Sequence, residues 1–255
     1  MSAAVLQVGC GIAFVALAAG LAWRLELGLT REIVIAAARA IVQLAAVGAL
    51  IALVFEHEVL AIAFVAAMVA TAAITSGGRI KGVPHARARA IAAIGVPAVG
   101  AAGVLIAVGA FEPTPRAAIP TAGILIGGAM TATTLTGRRL LEGLKDDEEI
   151  IEARLSLGDR IRTALAPTVR QAIKTGLVPA IDQTRNVGIV TLPGTFVGLV
   201  LGGASPAEAA RIQLTVLLTL LAVELLAATA ISELIVRTRI APGERLREDV
   251  ADVRR

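Results

Sequence analysis

The sequence predicts an all-α polytopic membrane protein of about seven transmembrane helices, and three observations carry that reading. The 255-residue chain is 56% hydrophobic and only 17% charged, where an ordinary soluble domain has about 25% charged residues. Its mean hydropathy is +0.81, and its apolar residues gather in runs long enough to cross a bilayer. Those runs are continuously apolar with no period-two alternation, which points to helices and away from a barrel.

At about 20 residues per span, the spans in order are 4–23, 32–55, 59–78, 90–110, 119–137, 177–202 and 209–236. The first has no basic segment before it and continues to Trp23, so it reads as a span and not as a cleavable signal peptide. Its lone Cys10 leaves no intrachain disulfide to form. The second span holds Arg39 and Gln43, four residues apart and therefore on one face. Arg39 is about 10 Å deep, counting 1.5 Å per residue from the end of the span. Gly127 and Gly128 on the fifth span offer a close-packing face. The sixth span contains Asp182 and Arg185 near one end. Its midpoint is Thr191-Leu192-Pro193-Gly194, where proline frees a carbonyl and glycine permits a kink, for gating or for packing. The seventh span carries Glu224 near its middle and Glu233 near its end, four residues before Arg237.

Lysine and arginine set the orientation. One set of loops and ends holds 20 of the 24 basic residues, while the opposite loops hold only Arg116 and Arg211. The N-terminus is thus expected outside and the C-terminal tail, about 237–255, in the cytoplasm. The protein is expected to be multi-pass in the plasma membrane, the inner membrane of a bacterium. The chain reads as one membrane domain, 1–255, with no Walker A pattern and no clear internal repeat. The basic residues lie between spans, where topology accounts for them. With five Phe, one Trp and no Tyr, there are few platforms for stacking bases, and no nucleic-acid partner is implied.

One long polar interruption, residues 138–174, holds 15 of the 44 charged side chains in 37 residues. Positions 145–157 read as an amphipathic cytoplasmic helix. Asp146, Asp147, Glu148 and Glu149 suit the positive end of its dipole. Leu144, Ile151 and Leu155 form an apolar stripe that Ile150 and Leu157 broaden. Gly158 fits the left-handed position after a helix, and Asp159 is placed to cap a second helix starting at Arg160. Pro167 and Pro179 are expected to bend or divide the chain beyond that start. The result is a helix, a sharp turn and a helix. It is either a solvated surface loop or a projecting elbow that docks a soluble partner.

Charged groups within spans are costly, about 2.5–3.5 kcal/mol each near mid-bilayer on insertion scales. Arg39 can pair with Asp182 to tie two spans together, or take part in gating. Glu224 can be protonated, paired with a polar group, or a cation ligand in a cavity. A metal centre is not legible: the only histidines are His57 and His85, and Glu56-His57-Glu58, on the outer side, reads as an ordinary polar loop or as a contact for a cation. No metal site, no catalytic residue and no cofactor can be assigned.

Glu152-Ala153, with Gly158 five residues after the alanine, resembles the loop by which ABC-transporter permeases contact their ATPase. Arg154 stands where that loop has a second alanine. The run Ile181-Asp182-Gln183-Thr184-Arg185-Asn186-Val187-Gly188-Ile189-Val190-Thr191-Leu192-Pro193-Gly194, with Gly202-Gly203-Ala204-Ser205-Pro206, is similar to the signature of the FetB-like iron-export permease family. Arg39 with Gln43-Leu44, and Met130-Thr131-Ala132 leading into Arg138-Arg139-Leu140, add to it. That family includes the permease partners of plant aluminium-tolerance transporters. Gly128 departs from the asparagine expected in many relatives.

The resemblance implies a permease subunit of an ABC exporter of iron or a related metal ion. It implies a homodimer in the lipid bilayer, driven by a cytoplasmic ATPase subunit that docks on Glu152, Ala153 and Gly158, with no covalent chemistry of its own. The alternative is a secondary transporter that uses Glu224 and Arg39 as ion or proton sites. A membrane-integral enzyme is disfavoured, since no His/Asp/Ser constellation is evident.

Overall fold

A computed structural model describes residues 3–241 and 245–246. The described part of the chain is almost wholly helical and forms two compact units, Met1–Glu58 and Val59–Arg255. Most of the tail expected at 237–255 lies outside the described residues.

The first unit is a helical hairpin of α1 (Ala3–Arg24) and α2 (Thr30–Glu56). Its turn is tightened by Leu27 N–H donating to the Ala22 carbonyl at 3.0 Å. Glu26 and Gly28 there adopt positive φ. At the far end of α2, His57 Nδ1 lies 3.1 Å from the Leu53 carbonyl, so its ring is engaged with the helix end.

The second unit comprises α3 (Glu58–Arg79), α4 (Ala86–Ala107), α5 (Pro115–Asp146), α6 (Glu148–Ser156), α7 (Ile161–Asn186), α8 (Gly194–Leu201) and α9 (Pro206–Arg239). A two-residue antiparallel pair comes last, β1 (Ile240–Ala241) with β2 (Arg245–Leu246). Six helices, α1 to α5 and α9, are long and apolar enough to cross a membrane. They fall on six of the seven predicted spans. The sixth, 177–202, corresponds to no continuous helix: α7 ends at Asn186, residues 187–193 are non-helical, and α8 resumes at Gly194.

α5 and α9 form the centre of this unit. One apolar cluster packs Ile94 of α4, Leu125 and Ile126 of α5, and Leu220 and Val223 of α9. A second joins Leu140 of α5, Ile151 of α6, Ile161 and Leu165 of α7, and Ile231 and Ile235 of α9. Close approaches fix the seams. A side chain at Gly176 on α7 would strike Thr136 of α5, and one at Gly143 on α5 would come within 2.7 Å of the Thr168 methyl on α7.

The 32 residues of α5 span about 48 Å at 1.5 Å per residue, against a hydrocarbon core of about 30 Å. The helix is therefore much longer than the hydrocarbon core alone requires. The predicted helix over 145–157 is in fact divided: α5 continues to Asp146, Asp147 is the joint, and α6 covers the rest. Of the bend or division expected at Pro167 and Pro179, division does not occur: α7 runs through both. Each proline removes one hydrogen bond, and the buried face of Ala164, Leu165, Thr168, Ala172, Gly176 and Ala180 holds the remaining turns in place.

Candidate functional site

The polar interruption folds into a defined elbow. α6 ends in a paired-bond turn: Gly158 N–H donates to the Leu155 carbonyl at 3.0 Å and Asp159 N–H to the Arg154 carbonyl at 3.1 Å. Together these satisfy carbonyls that a helix end leaves open. Gly158 sits at φ +95°, in the left-handed region where an L side chain is strained. Asp159 does not cap the next helix as expected. Its Oδ2 instead accepts a hydrogen bond from Arg154 Nε at 2.9 Å, and Arg160 occupies the capping position without a side-chain bond. Arg154, the departure from the docking motif, thus closes the turn it belongs to.

The elbow is rooted on one side and open on the other. Leu144, Ile151 and Leu155 line up on the packed side as the spacing predicts. Ile150 and Leu157 do not broaden that stripe. They are 62% and 87% exposed, because the break at Asp147 and the turn at Gly158 rotate them outward. Glu152, Ala153 and Gly158 are exposed with them. At the joint, Thr168 Oγ1 donates to Asp147 Oδ2 at 2.6 Å, tying the start of α6 to α7.

Beyond the elbow, Arg162 in the first turn of α7 grips Glu233 of α9 with two parallel bonds, Nη1 to Oε2 at 3.0 Å and Nη2 to Oε1 at 2.8 Å. Arg237 adds a third, Nε to Oε1 at 2.8 Å. The Glu233 and Arg237 pair is the one the spacing suggests. Arg162 is the partner that sequence reasoning missed, since nothing in a chain separation of 71 residues signals it. Hydrogen bonding to Glu233, and then the charge of that carboxylate, raise the Arg162 pKa above its ordinary value. The bidentate geometry is the strong form of such a pair, although its exposure limits its energy.

Glu224 lies at the α5 and α9 seam, only 4% exposed. Among the described residues it makes no hydrogen bond or ion pair. Gly128 of α5 makes room for it: a Cβ there would lie 2.5 Å from Glu224 Oε1 and 2.5 Å from Leu220 Cδ1. Gly128 and Glu224 are therefore matched in this chain, and an asparagine at 128 would need the volume the carboxylate fills. The same two helices bury polar atoms that have no partner among the described residues, Gln213 Oε1 and Ser232 Oγ on α9 and Thr133 and Thr136 Oγ1 on α5.

Arg39 and Gln43 lie on α2, both exposed, and Asp182 and Arg185 lie near the end of α7, also exposed. In the break after α7, Gly188 takes φ +81°, and its N–H donates to the Thr191 carbonyl at 2.8 Å. Pro193 caps α8, and Val197 N–H donates to its carbonyl at 3.2 Å. The interruption thus starts six residues before the proline. Gly194 is the first residue of α8, and among the described residues nothing lies within 4 Å of its Cβ position. Among the described residues no three His, Cys, Asp or Glu side chains gather as metal ligands would.

A bundle of long apolar helices, with a buried polar seam and a helix-turn-helix rooted at one end, defines a multi-pass membrane protein. The chain belongs to the family described as Uncharacterised protein family (UPF0014), whose model matches residues 5–240. It is similar to the "UPF0014 membrane protein STAR2" of Oryza sativa subsp. japonica, 38% identical over 80% of this chain and 73% of that protein. It is also similar to "Protein ALUMINUM SENSITIVE 3" of Arabidopsis thaliana, 32% identical over 83% and 78%. The "Probable iron export permease protein FetB" of Escherichia coli (strain K12) is 33% identical over 77% of this chain and 76% of its own. These are the relatives that the residues around 181–194 point to. No solved structure matches.

Proposed function

We propose that this chain is the membrane-spanning permease subunit of an ATP-driven exporter, with iron or a related metal ion as its cargo. It works as a homodimer in the plasma membrane with two separately encoded ATPase subunits, and its two units form one permease domain. The distribution of lysine and arginine supports an external N-terminus and a cytoplasmic elbow. The cargo is inferred from the printed description of the bacterial relative.

The observation that carries the reading is the elbow. A soluble subunit would meet Glu152, Ala153, Leu157 and Gly158 on its open face. The push would pass through Ile151 into the core, and through α7 and the Arg162 and Glu233 pair into α9. Each link is a packed or doubly hydrogen-bonded contact, so the elbow moves with the helices and not independently of them. In this scheme Glu224 is the candidate cation carboxylate inside the membrane, and the interruption at 187–193, with Thr191, Pro193 and Gly194, is the candidate gate. Arg39 of α2 and Asp182 of α7 are further charged candidates for a part in gating.

The test is co-expression and reconstitution with candidate ATPase subunits that carry Walker A and B motifs. Co-purification should be lost on Gly158→Pro or Glu152→Arg, and the intact complex should show metal-stimulated ATP hydrolysis. Transport that survives deletion of every candidate ATPase would sink the proposal and favour a secondary transporter.

A further inference from the structure

A second feature lies apart from the elbow and the polar seam. The end of α3, the turn after it, the outer part of α5 and the end of α9 line an open pocket of about 640 Å3. Five of the side chains lining it are cationic: Arg79, Lys81, Arg138, Lys145 and Arg239. Glu142 is the one carboxylate among them. Some cations of this unit are paired, Arg154 with Asp159 and both Arg162 and Arg237 with Glu233, while others such as Arg160, Arg170 and Lys174 are exposed and, among the described residues, have no carboxylate partner. Here Arg79, Lys81, Arg138 and Lys145 make no hydrogen bond or ion pair among the described residues. Glu142 itself lies 3.8 Å from Arg139. Topology explains why basic residues occur at this end of the helices. It does not explain why cations from separate elements converge on one concavity, where they repel one another.

We propose that this pocket binds a phosphate oxyanion, presented by the headgroup of an acidic phospholipid. The size falls within the range of small-ligand sites, about 300–1,000 Å3. Arg79 ends an apolar helix, and Lys145 stands about 10 Å further out than Arg138 at 1.5 Å per residue. That reach is comparable to the headgroup layer, about 5–8 Å on each side of the hydrocarbon. Arginine forks suit phosphate oxygens and lysine adds point charge. Basic pockets between helices at this depth recognise acidic headgroups on the same grounds. A bare metal cation would be repelled from the pocket. The proposal depends on neither the transport reading nor the orientation.

The experiment is native mass spectrometry of the full-length protein in detergent, titrated with phosphatidylglycerol or phosphatidylcholine. Parallel titrations use inorganic phosphate. The wild-type chain should retain phosphatidylglycerol in preference to phosphatidylcholine. The double variant Arg138→Gln with Lys145→Gln should weaken that retention by about 25-fold, at about 1 kcal/mol per basic residue. Arg170→Gln with Lys174→Gln removes two exposed charges from the same chain segment and should leave it unchanged. The charge-keeping Arg138→Lys with Lys145→Arg should retain most of it and shows that folding is intact. If millimolar inorganic phosphate displaces the lipid, or stabilises the protein in a pocket-dependent way, the same site serves free phosphate. Equal retention of both lipids, or equal loss in the pocket and control variants, would overturn the proposal.

Discussion

Replacing Gly128 by alanine tests the α5 and α9 seam directly. The added Cβ would lie 2.5 Å from both Glu224 Oε1 and Leu220 Cδ1, about 1 Å inside ordinary van der Waals contact. Both neighbours are buried, at 4% and 6% exposure, so neither can swing into solvent. Overpacking of this kind costs about 1–3 kcal/mol, and alanine recovers about 0.5–1 kcal/mol of helix preference over glycine. The net loss is about 0–2.5 kcal/mol. At about 2–4 °C per kcal/mol for a chain of this length, the midpoint should fall by up to about 10 °C. Gly127→Ala is the internal control. Nothing lies within 4 Å of its Cβ position, so it should be neutral or stabilising by up to about 1 kcal/mol. Heating the detergent-solubilised protein and following the monodisperse fraction by gel filtration measures both. Adding Leu220→Ala to Gly128→Ala should cost less than the two changes summed. A Gly128→Ala protein as stable as Gly127→Ala would refute the seam geometry.

Gly158→Ala puts a Cβ at φ +95° and should destabilise the turn by about 1–2 kcal/mol, seen as faster amide exchange across α6. Thr168→Val removes the 2.6 Å bond to Asp147 and should lower stability by about 1 kcal/mol, measured by the same heat challenge. Arg162→Ala and Glu233→Gln should be non-additive in a double-mutant cycle at low salt, with the coupling shrinking as ionic strength rises. Coupling that is zero at every salt concentration would mean that the two-bond grip does not form in the membrane. Glu224→Gln keeps the shape of the seam, so folding should persist while metal-stimulated ATP hydrolysis in the reconstituted complex is lost. Unchanged stimulation would remove Glu224 from the transport path.

Much of this molecule was legible in one dimension because the bilayer imposes a one-dimensional rule: a helix that crosses it must be apolar for its whole length. Six spans come directly from that rule. The sixth departs from it because the backbone breaks across 187–193, at Gly188 and before Pro193, in an apolar stretch that hydropathy reads as continuous. The elbow was legible at Gly158, where a local φ requirement selects a residue type. It was not legible at Asp147, where no breaker residue marks the joint and Thr168 from α7 binds the side chain.

The residues by themselves determined that this is a helical membrane protein, that one end is basic, that a charged segment turns sharply at Gly158, and that the chain carries the marks of its family around 181–194. These are properties of composition, periodicity and local backbone preference. Only the tertiary structure decided that Gly128 makes room for Glu224, that Arg162 holds Glu233, and that cations from separate elements line one open pocket. Those pairings join residues tens of positions apart, and helix packing, which no local preference encodes, brings them together.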